Sequence, residues 1–170
     1  QAAKMVLLTG QVALVTGASR GIGKGIALVL AEQGATVYIT GRTLSSGASP
    51  LPGSLRETSS EMERRGGNGI AVQVDHGDDA QVAALFARIA KEQGRLDILV
   101  NNAFAVPDGL PGLNPYWEQP LSDWGMVDVG VRSSYVAAWH AAKIMVPQKS
   151  GLIVAISGYT GVSYTFNVVF

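Results

Sequence analysis

The stretch QVALVTGASRGIGKGIALVLAEQGATVYITGR, residues 11–42, decides the fold because it switches between two kinds of periodicity. Its first part, 11–17, is a short apolar run of β-forming residues that ends in glycine. In 19–35 the apolar residues recur at helical spacing, and Gly34 is placed to end that helix. A second β-branched run, 36–42, follows at once. The order strand, helix, strand predicts a parallel βαβ unit.

The rest of the chain repeats this alternation. Ser54 and Glu57 form a capping-box pattern at the start of a predicted helix, and Asp78 or Asp79 can cap the helix after it. The further strands are predicted at 69–75, 96–103 and 151–157, and the helices at 54–65, from 78 or 79 to Gly94, and at 122–145. We therefore predict one α/β domain over 1–170, with a doubly wound parallel sheet of the Rossmann type. By pattern alone, another α/β fold such as a flavodoxin-like one stays open.

Apolar spacing also predicts which side chains face the core. In the first helix they are Ile22, Ile26, Val29 and Leu30. In the helix at 122–145, Trp124 falls on the core-facing side. His76 is expected only to start a turn, and His140 to be packed or solvated within its helix.

Composition narrows the functional classes. The 170 residues carry 13 basic and 13 acidic side chains, so the chain lacks the net positive charge of a nucleic-acid-binding surface. It has no cysteine, which excludes disulfides and cysteine ligands and fits a cytoplasmic location. No apolar run reaches the roughly 18 residues of a membrane span, and no secretion signal or metal-ligand spacing is present. We expect a protein that uses no metal, nucleic acid or membrane.

Three glycines stand at the first strand–helix junction, in TGASRGIG, residues 16–23. Gly17 permits a tight turn, Gly21 allows a ligand to approach the backbone, and Gly23 allows the helix to pack on the strand. The helix that follows presents free N–H groups and the positive end of its dipole. This arrangement predicts a binding site for the pyrophosphate of a dinucleotide.

Two arginines indicate which dinucleotide binds. An NAD site usually has a carboxylate after the second strand to bind the ribose hydroxyl, but this strand ends in Arg42. Arg20 lies inside the glycine-rich loop. Two guanidinium groups near one ribose suit a 2′-phosphate, which favours NADP over NAD. The alternative is that both are ordinary solvated surface arginines.

With VD at 74–75 and NNA at 101–103 also placed at strand ends, the chain resembles the short-chain dehydrogenase/reductase family. The resemblance spans about residues 10–170, and VYITGR, VNNAF, MVP and GLIVAIS are similar to one branch of that family. It implies that the cofactor contacts Gly17, Ser19, Arg20, Gly21, Ile22, Gly23, Arg42, Asp75, Asn101 and Ala103. For Asn101 and Asn102 a turn with left-handed backbone geometry is the alternative.

The resemblance also implies hydride transfer between a nicotinamide and a small-molecule carbonyl or alcohol. Members of the family usually supply a Tyr, a Lys four residues later, a Ser after the fifth strand and an Asn in the long helix. Ser157 fits the Ser position, although Gly158 is the other possible match, and Gly130 stands where the Asn is expected. By spacing, Phe170 occupies the Tyr position, and a benzyl ring has no proton to donate.

Three explanations of Phe170 are open. It can be a replacement in a longer chain, another hydroxyl can serve, with Tyr164 ahead of Tyr159, or the protein binds NADP without catalysis. The Pro-, Gly- and aromatic-rich loop 104–120 is expected to overhang the substrate side, where Phe104, Tyr116 and Trp117 either form a wall or cap the next helix. Since the family implies further strands and helices after Phe170, we expect a C-terminally incomplete chain, and a homo-oligomer when the remainder is present.

Overall fold

Five parallel strands form a sheet in the computed structural model, which describes residues 6–106 and 115–158. Within those residues the strand order is β3-β2-β1-β4-β5, so β1 has β2 on one side and β4 on the other. The strands are β1 Val12–Val15, β2 Thr36–Gly41, β3 Asn68–Gln73, β4 Ile98–Asn101 and β5 Leu152–Ala155. The predicted doubly wound parallel sheet is confirmed.

Helices connect successive strands. Their bounds are α1 Gly21–Glu32, α2 Leu55–Arg64, α3 Asp79–Gln93, α4 Gly125–Val127 and α5 Ser133–Gln148. Short 3₁₀ turns at Tyr116–Glu118 and Leu121–Trp124 precede α4, and a π-helical turn, Asp128–Arg132, joins α4 to α5. The single helix predicted over 122–145 is therefore a composite of three helix types that ends three residues later than expected.

The predicted N-caps of α2 and α3 and the predicted end of α3 are formed by the expected residues. The Ser54 hydroxyl accepts a hydrogen bond from the Glu57 amide at 3.2 Å at the start of α2. Asp78, rather than Asp79, caps α3, since its carboxylate accepts from the amides of the second and third following residues at 2.9 and 3.2 Å. Gly94 ends α3 with a φ of +67°, a value that glycine adopts without a steric penalty.

The predicted core face of α1 is wrong in part. Ile22 and Val29 are 64% and 57% exposed, whereas Ile26 and Leu30 are partly buried as expected. The buried residues of α1 are Gly23, Ala27, Leu28 and Ala31. Three of these four are glycine or alanine, whose small size allows close packing of the helix, whereas Ile22 and Val29 lie outside the buried contact.

Trp124 does not face the core as predicted but is 61% exposed. It ends the 3₁₀ turn, and the buried side chain of this region is Met126. A 3₁₀ turn advances three residues per turn and a π turn more than four, so a periodicity of 3.6 cannot be extended across 121–132.

Asp97 joins β1 and β4 to the end of α5. Its carboxylate accepts from the Val12 amide at 2.8 Å, from two nitrogens of Arg95 at 2.7 and 2.8 Å, and from the Gln148 amide at 3.2 Å. Burial acts to raise the pKa of Asp97, but these hydrogen bonds outweigh it and the pKa is lowered. These contacts hold the amino-terminal ends of β1 and β4 in register, at the edge of the sheet opposite the carboxyl ends of the strands.

Candidate cofactor-binding site

A cavity of about 300 Å³ opens at the carboxyl ends of β1 to β4. It lies where β1 separates the half of the sheet with β2 and β3 from the half with β4 and β5, which is the usual ligand position in such sheets. Six of the predicted cofactor residues line it: Gly17, Ser19, Arg20, Arg42, Asp75 and Ala103. The strand ends thus bring together residues that are far apart in the chain.

The glycine-rich loop meets the geometric requirements for approaching an anion. Gly17 and Gly21 have positive φ values of +68° and +57°. No atom lies within 4 Å of the position that a Cβ of Gly21 would take, so the backbone there is open to a ligand. The side chain of Arg20, the N-cap residue, does not cap α1, and the first turn of α1 has no acidic residue. The positive end of the helix dipole is therefore not neutralised locally.

Gly23 serves packing instead of the cavity surface. A Cβ at this position would lie 2.4 Å from Nδ2 of Asn102 and 2.6 Å from the Gly17 carbonyl oxygen. Neither distance is sterically possible without a shift of the loop.

The structure does not place four of the predicted cofactor residues in the cavity lining: Gly21, Ile22, Gly23 and Asn101.

Thr16 and Asn102 hold the loops after β1 and β4 together. The Asn102 amide group donates to the carbonyl oxygens of Thr16 and Gly17, both at 3.0 Å. The Thr16 hydroxyl accepts from the backbone N–H groups of Asn102 and Ala103, both at 2.9 Å, and donates to Val100 at 3.3 Å. Sequence reasoning missed this role, because the partners are separated by more than 80 residues.

The alternative of a left-handed turn at Asn101 and Asn102 is wrong, since Lys149 is the only non-glycine residue with positive φ in the described part of the chain. Asn101 is 5% exposed, and its side-chain amide donates to the Ser134 carbonyl oxygen at 3.2 Å. Its side chain therefore ties β4 to α5 and not to the cavity.

The two arginines differ in their surroundings. Arg42 is exposed, and its guanidinium has no hydrogen-bond partner among the described residues. It lines the first cavity and also a second cavity of about 350 Å³. Arg20 is half-buried, and its terminal nitrogens donate to Thr43 Oγ1 and Gly53 O, both at 3.1 Å, and to Ser49 Oγ at 3.4 Å. Arg42 is thus the guanidinium that is free to meet a ligand.

His76 lines the cavity and is 4% exposed, although the sequence suggested only a turn residue. Its Nε2 lies 2.7 Å from the hydroxyl of the fully buried Thr40. Burial lowers the pKa of His76 to about 4, against a smaller opposing effect of the neighbouring Asp75 carboxylate. His76 is therefore a neutral hydrogen-bonding group in the wall of the site at pH 7, and no local sequence pattern indicates this.

The candidate catalytic positions are described in part. Ser157 is exposed two residues after β5, where the Ile156 amide donates to the Asn101 carbonyl oxygen at 2.9 Å. Gly130 lies in the π turn, and a Cβ there would be 3.2 Å from the ring of Phe104. Tyr159, Tyr164 and Phe170 lie outside the described residues.

Of the aromatic residues predicted to form a substrate wall, Phe104 lines the first cavity. Trp117 is 74% exposed and lines neither of the two cavities. The side chain of Tyr116 is outside what the structure describes. The described residues contain no group of three or more His, Cys, Asp or Glu side chains placed to hold a metal ion, and no helix among them is long and apolar enough to cross a membrane.

The parallel sheet with a cavity at the carboxyl ends of its strands is typical of Rossmann-type α/β proteins. Comparison with known families agrees with this class. The model of the short chain dehydrogenase family matches residues 11–169, and the chain belongs to that family. Dehydrogenase/reductase SDR family member 1 of Mus musculus is 44% identical over 165 residues, covering 95% of this chain and 50% of that protein. Its Homo sapiens counterpart is 46% identical over 165 residues, with the same shares of 95% and 50%.

Among solved structures, a metagenomic short-chain oxidoreductase in complex with NADP has a TM-score of 0.81 and 32% identity, covering 93% of this chain and 66% of that chain. The resemblance to the family, and to the branch marked by VYITGR and GLIVAIS, is confirmed. The chain spans about half the length of the curated relatives it matches.

Proposed function

We propose that this protein is an NADP-dependent oxidoreductase that transfers a hydride between the nicotinamide and a carbonyl or alcohol group of a small molecule. The observation that carries the proposal is that Arg42 and the glycine-rich loop leading into α1, through Gly17, Ser19 and Arg20, line one cavity. Among the described residues Arg42 forms no ion pair, and the first turn of α1, which follows this loop, has no acidic residue, so both ends of the site are electropositive. A ligand with two separate phosphoryl groups suits such a site better than a neutral one.

The residues present fit the dinucleotide. The open backbone at Gly21 and the free N–H groups of the first turn of α1 would hold the pyrophosphate. Arg42 would bind the 2′-phosphate, and Asp75, with Ser19 and Ala103, would contact the adenosine half. The bound nicotinamide supplies the hydride or accepts it. Ser157 would donate a hydrogen bond to the substrate oxygen, and Tyr164 would provide its proton.

A second candidate is a protein of the same family that binds NADP without catalysis. The specific observation in its favour is Gly130, which stands in the π turn where the resemblance expects an Asn. The ring of Phe104 lies against this glycine, so a larger side chain at 130 would displace the ring. Phe170 at the expected Tyr position points the same way.

A measurement of catalytic activity distinguishes the two candidate functions. Loss of nicotinamide absorbance from NADPH in a screen of aldehydes and ketones supports the oxidoreductase, whereas tight NADPH binding without turnover supports the binding protein. A Tyr164→Phe chain that reduces the same substrate at an unchanged rate would exclude Tyr164 as the proton donor. The cytoplasmic location and the homo-oligomer stay predictions.

Arg42→Ala is expected to raise the dissociation constant of NADPH roughly 10- to 100-fold, because charge-assisted hydrogen bonds to phosphate contribute about 1.5–3 kcal/mol. The dissociation constant of NADH, which has no 2′-phosphate, should stay unchanged. Isothermal titration calorimetry with both dinucleotides measures the two values. An equal loss of affinity for NADH and NADPH would contradict a role of Arg42 in phosphate recognition. The control is Arg56→Ala, which removes an exposed arginine that lines neither cavity.

A further inference from the structure

We propose that Phe104 is a ligand-contact residue whose ring packs against the adenosine half of the dinucleotide, and that Gly130 is a positioning residue, which leaves the space that this ring needs. The inference rests on the proposed function and deepens it. It assigns to the adenosine half a ring for which the sequence suggested the substrate side or a helix cap. It also gives the glycine of the π turn a role that is independent of catalysis.

The ring of Phe104 is available to a ligand. It is 55% exposed and lines the first cavity. Arg42 and Asp75, which are proposed to contact the adenosine half, line the same cavity. The backbone just before the ring is fixed, because the Ala103 amide donates to the Thr16 hydroxyl at 2.9 Å. A nucleoside that enters this cavity therefore meets an apolar ring on a fixed support, and its base can stack on that ring.

Gly130 determines where the ring can lie. A Cβ at Gly130 would be 3.2 Å from Cδ2 and 3.6 Å from Cε2 of Phe104. The first distance is shorter than most contacts of a real Cβ, so even alanine would require a shift of the ring, and a larger side chain would take its place. Glycine is also unfavourable within a helical turn, because it loses more backbone entropy on folding than other residues. The space taken by the Phe104 ring accounts for glycine at this position.

Hydrogen bonds hold the π turn from two sides. The Ser134 hydroxyl donates to the Gly130 carbonyl oxygen at 2.8 Å, and the Ser134 carbonyl oxygen accepts from the buried Asn101 of β4 at 3.2 Å. Arg132 donates two hydrogen bonds to the carboxylate of Asp79 in α3, at 2.6 and 2.8 Å. Because the turn is tied to a strand and to a helix, a side chain at 130 would displace the half-exposed ring before it displaced the turn.

The test compares Phe104→Ala, Gly130→Asn and the double variant in the full chain. Calorimetry gives the dissociation constants of NADPH and of adenosine 2′,5′-bisphosphate, a probe that lacks the nicotinamide half. Phe104→Ala should raise both constants by the same factor, roughly ten-fold, as the loss of a base–aromatic contact implies. Gly130→Asn should raise them by a similar factor, and the double variant by no more than Phe104→Ala alone, because the two residues act through one ring.

Two controls accompany these variants. Phe104→Tyr keeps the aromatic ring and should bind both probes as the unmodified chain does. Gly25→Asn places the same side chain in α1, where no atom lies within 4 Å of the Cβ position and the residue is exposed and lines neither cavity. It should leave both constants unchanged. If Gly130→Asn does not fold, Gly130→Ala should show the same pattern at smaller amplitude.

Three results would overturn the proposal. A rise for NADPH alone in Phe104→Ala would place the ring at the nicotinamide half, and unchanged constants would show that it contacts neither half. Multiplied effects in the double variant would show that Phe104 and Gly130 act separately. If the unmodified chain binds neither probe, the proposed function fails, and urea unfolding still tests the pair. Gly130→Asn should then lower the unfolding midpoint less when combined with Phe104→Ala, and equal losses in both backgrounds would refute the coupling.

Discussion

Gly23→Ala is expected to lower the free energy of unfolding by about 3 kcal/mol, the combined scale of overpacking and of losing buried hydrogen bonds. The new methyl group would lie 2.4 Å from the Asn102 amide nitrogen and 2.6 Å from the Gly17 carbonyl oxygen. Moving Asn102 away breaks its hydrogen bonds to Thr16 and Gly17. Moving α1 away instead opens its contact with the sheet, in which Ala27 is buried.

The same variant should bind NADPH at least ten-fold more weakly, because the loop that Asn102 holds carries the backbone of the proposed pyrophosphate site. Urea unfolding measures the stability and calorimetry the affinity. Gly25→Ala is the matched control, since no atom lies within 4 Å of its Cβ position and it is exposed in the same helix. It should stabilise the protein by up to about 1 kcal/mol. Equal effects of the two substitutions would refute the packing role of Gly23.

The sequence was sufficient for the sheet because its signals are local. Each strand is an apolar run bounded by glycine or polar residues, and right-handed parallel connections then leave few possible strand orders. The caps at Ser54 and Asp78 were also predictable, since a capping hydrogen bond spans only two or three residues. The glycine-rich loop, Arg42 and Asp75 were placed at one edge of the sheet by the same logic.

Packing inside α1 was not predictable in this way. Hydrophobic periodicity gives most weight to large side chains such as Ile22 and Val29, yet the sheet contact is made by Gly23, Ala27 and Ala31. Where a helix lies close to a sheet, the smallest residues face it, and their hydrophobicity is low. The 3₁₀ and π turns within 121–132 likewise leave no signal in the hydrophobic pattern. The prediction that Trp124 faces the core was wrong for this reason.

The parts of the site that sequence reasoning missed depend on contacts between distant residues. Asn102 and Thr16 meet across 86 positions, and His76 and Thr40 across 36. Each residue alone has an ordinary explanation in a turn or a strand. These residues stabilise the loops and strands around the cavity, and this can be recognised only when β1, β2 and β4 are known to be adjacent in the sheet.

His76 is expected to make the protein less stable as the pH falls from about 6.5 to about 4. The folded state keeps its imidazole neutral, because a charged ring beside Thr40 would be buried, whereas the unfolded chain binds a proton below about pH 6.5. Since the unfolded state then holds more protons, the free energy of unfolding decreases with falling pH. One pKa unit corresponds to about 1.4 kcal/mol, so the full loss by pH 4 is about 3 kcal/mol.

Urea unfolding at a series of pH values measures this slope, and the two histidines of the chain supply the comparison. His76→Gln places a neutral amide near Thr40 and should flatten the slope between about pH 6.5 and pH 4. His140→Gln should keep most of it, because His140 is partly exposed, stacked on Phe86 at 5.4 Å, and far less buried than His76. Carboxylates that interact with neither histidine contribute equally to all three curves, so the difference between the curves reports on the replaced histidine together with its one carboxylate neighbour, Asp75 for His76 and Asp79 for His140. A slope in His76→Gln equal to that of the unmodified chain would show that His76 accepts its proton in the folded state, and the wall of the cavity would then tolerate a charge there.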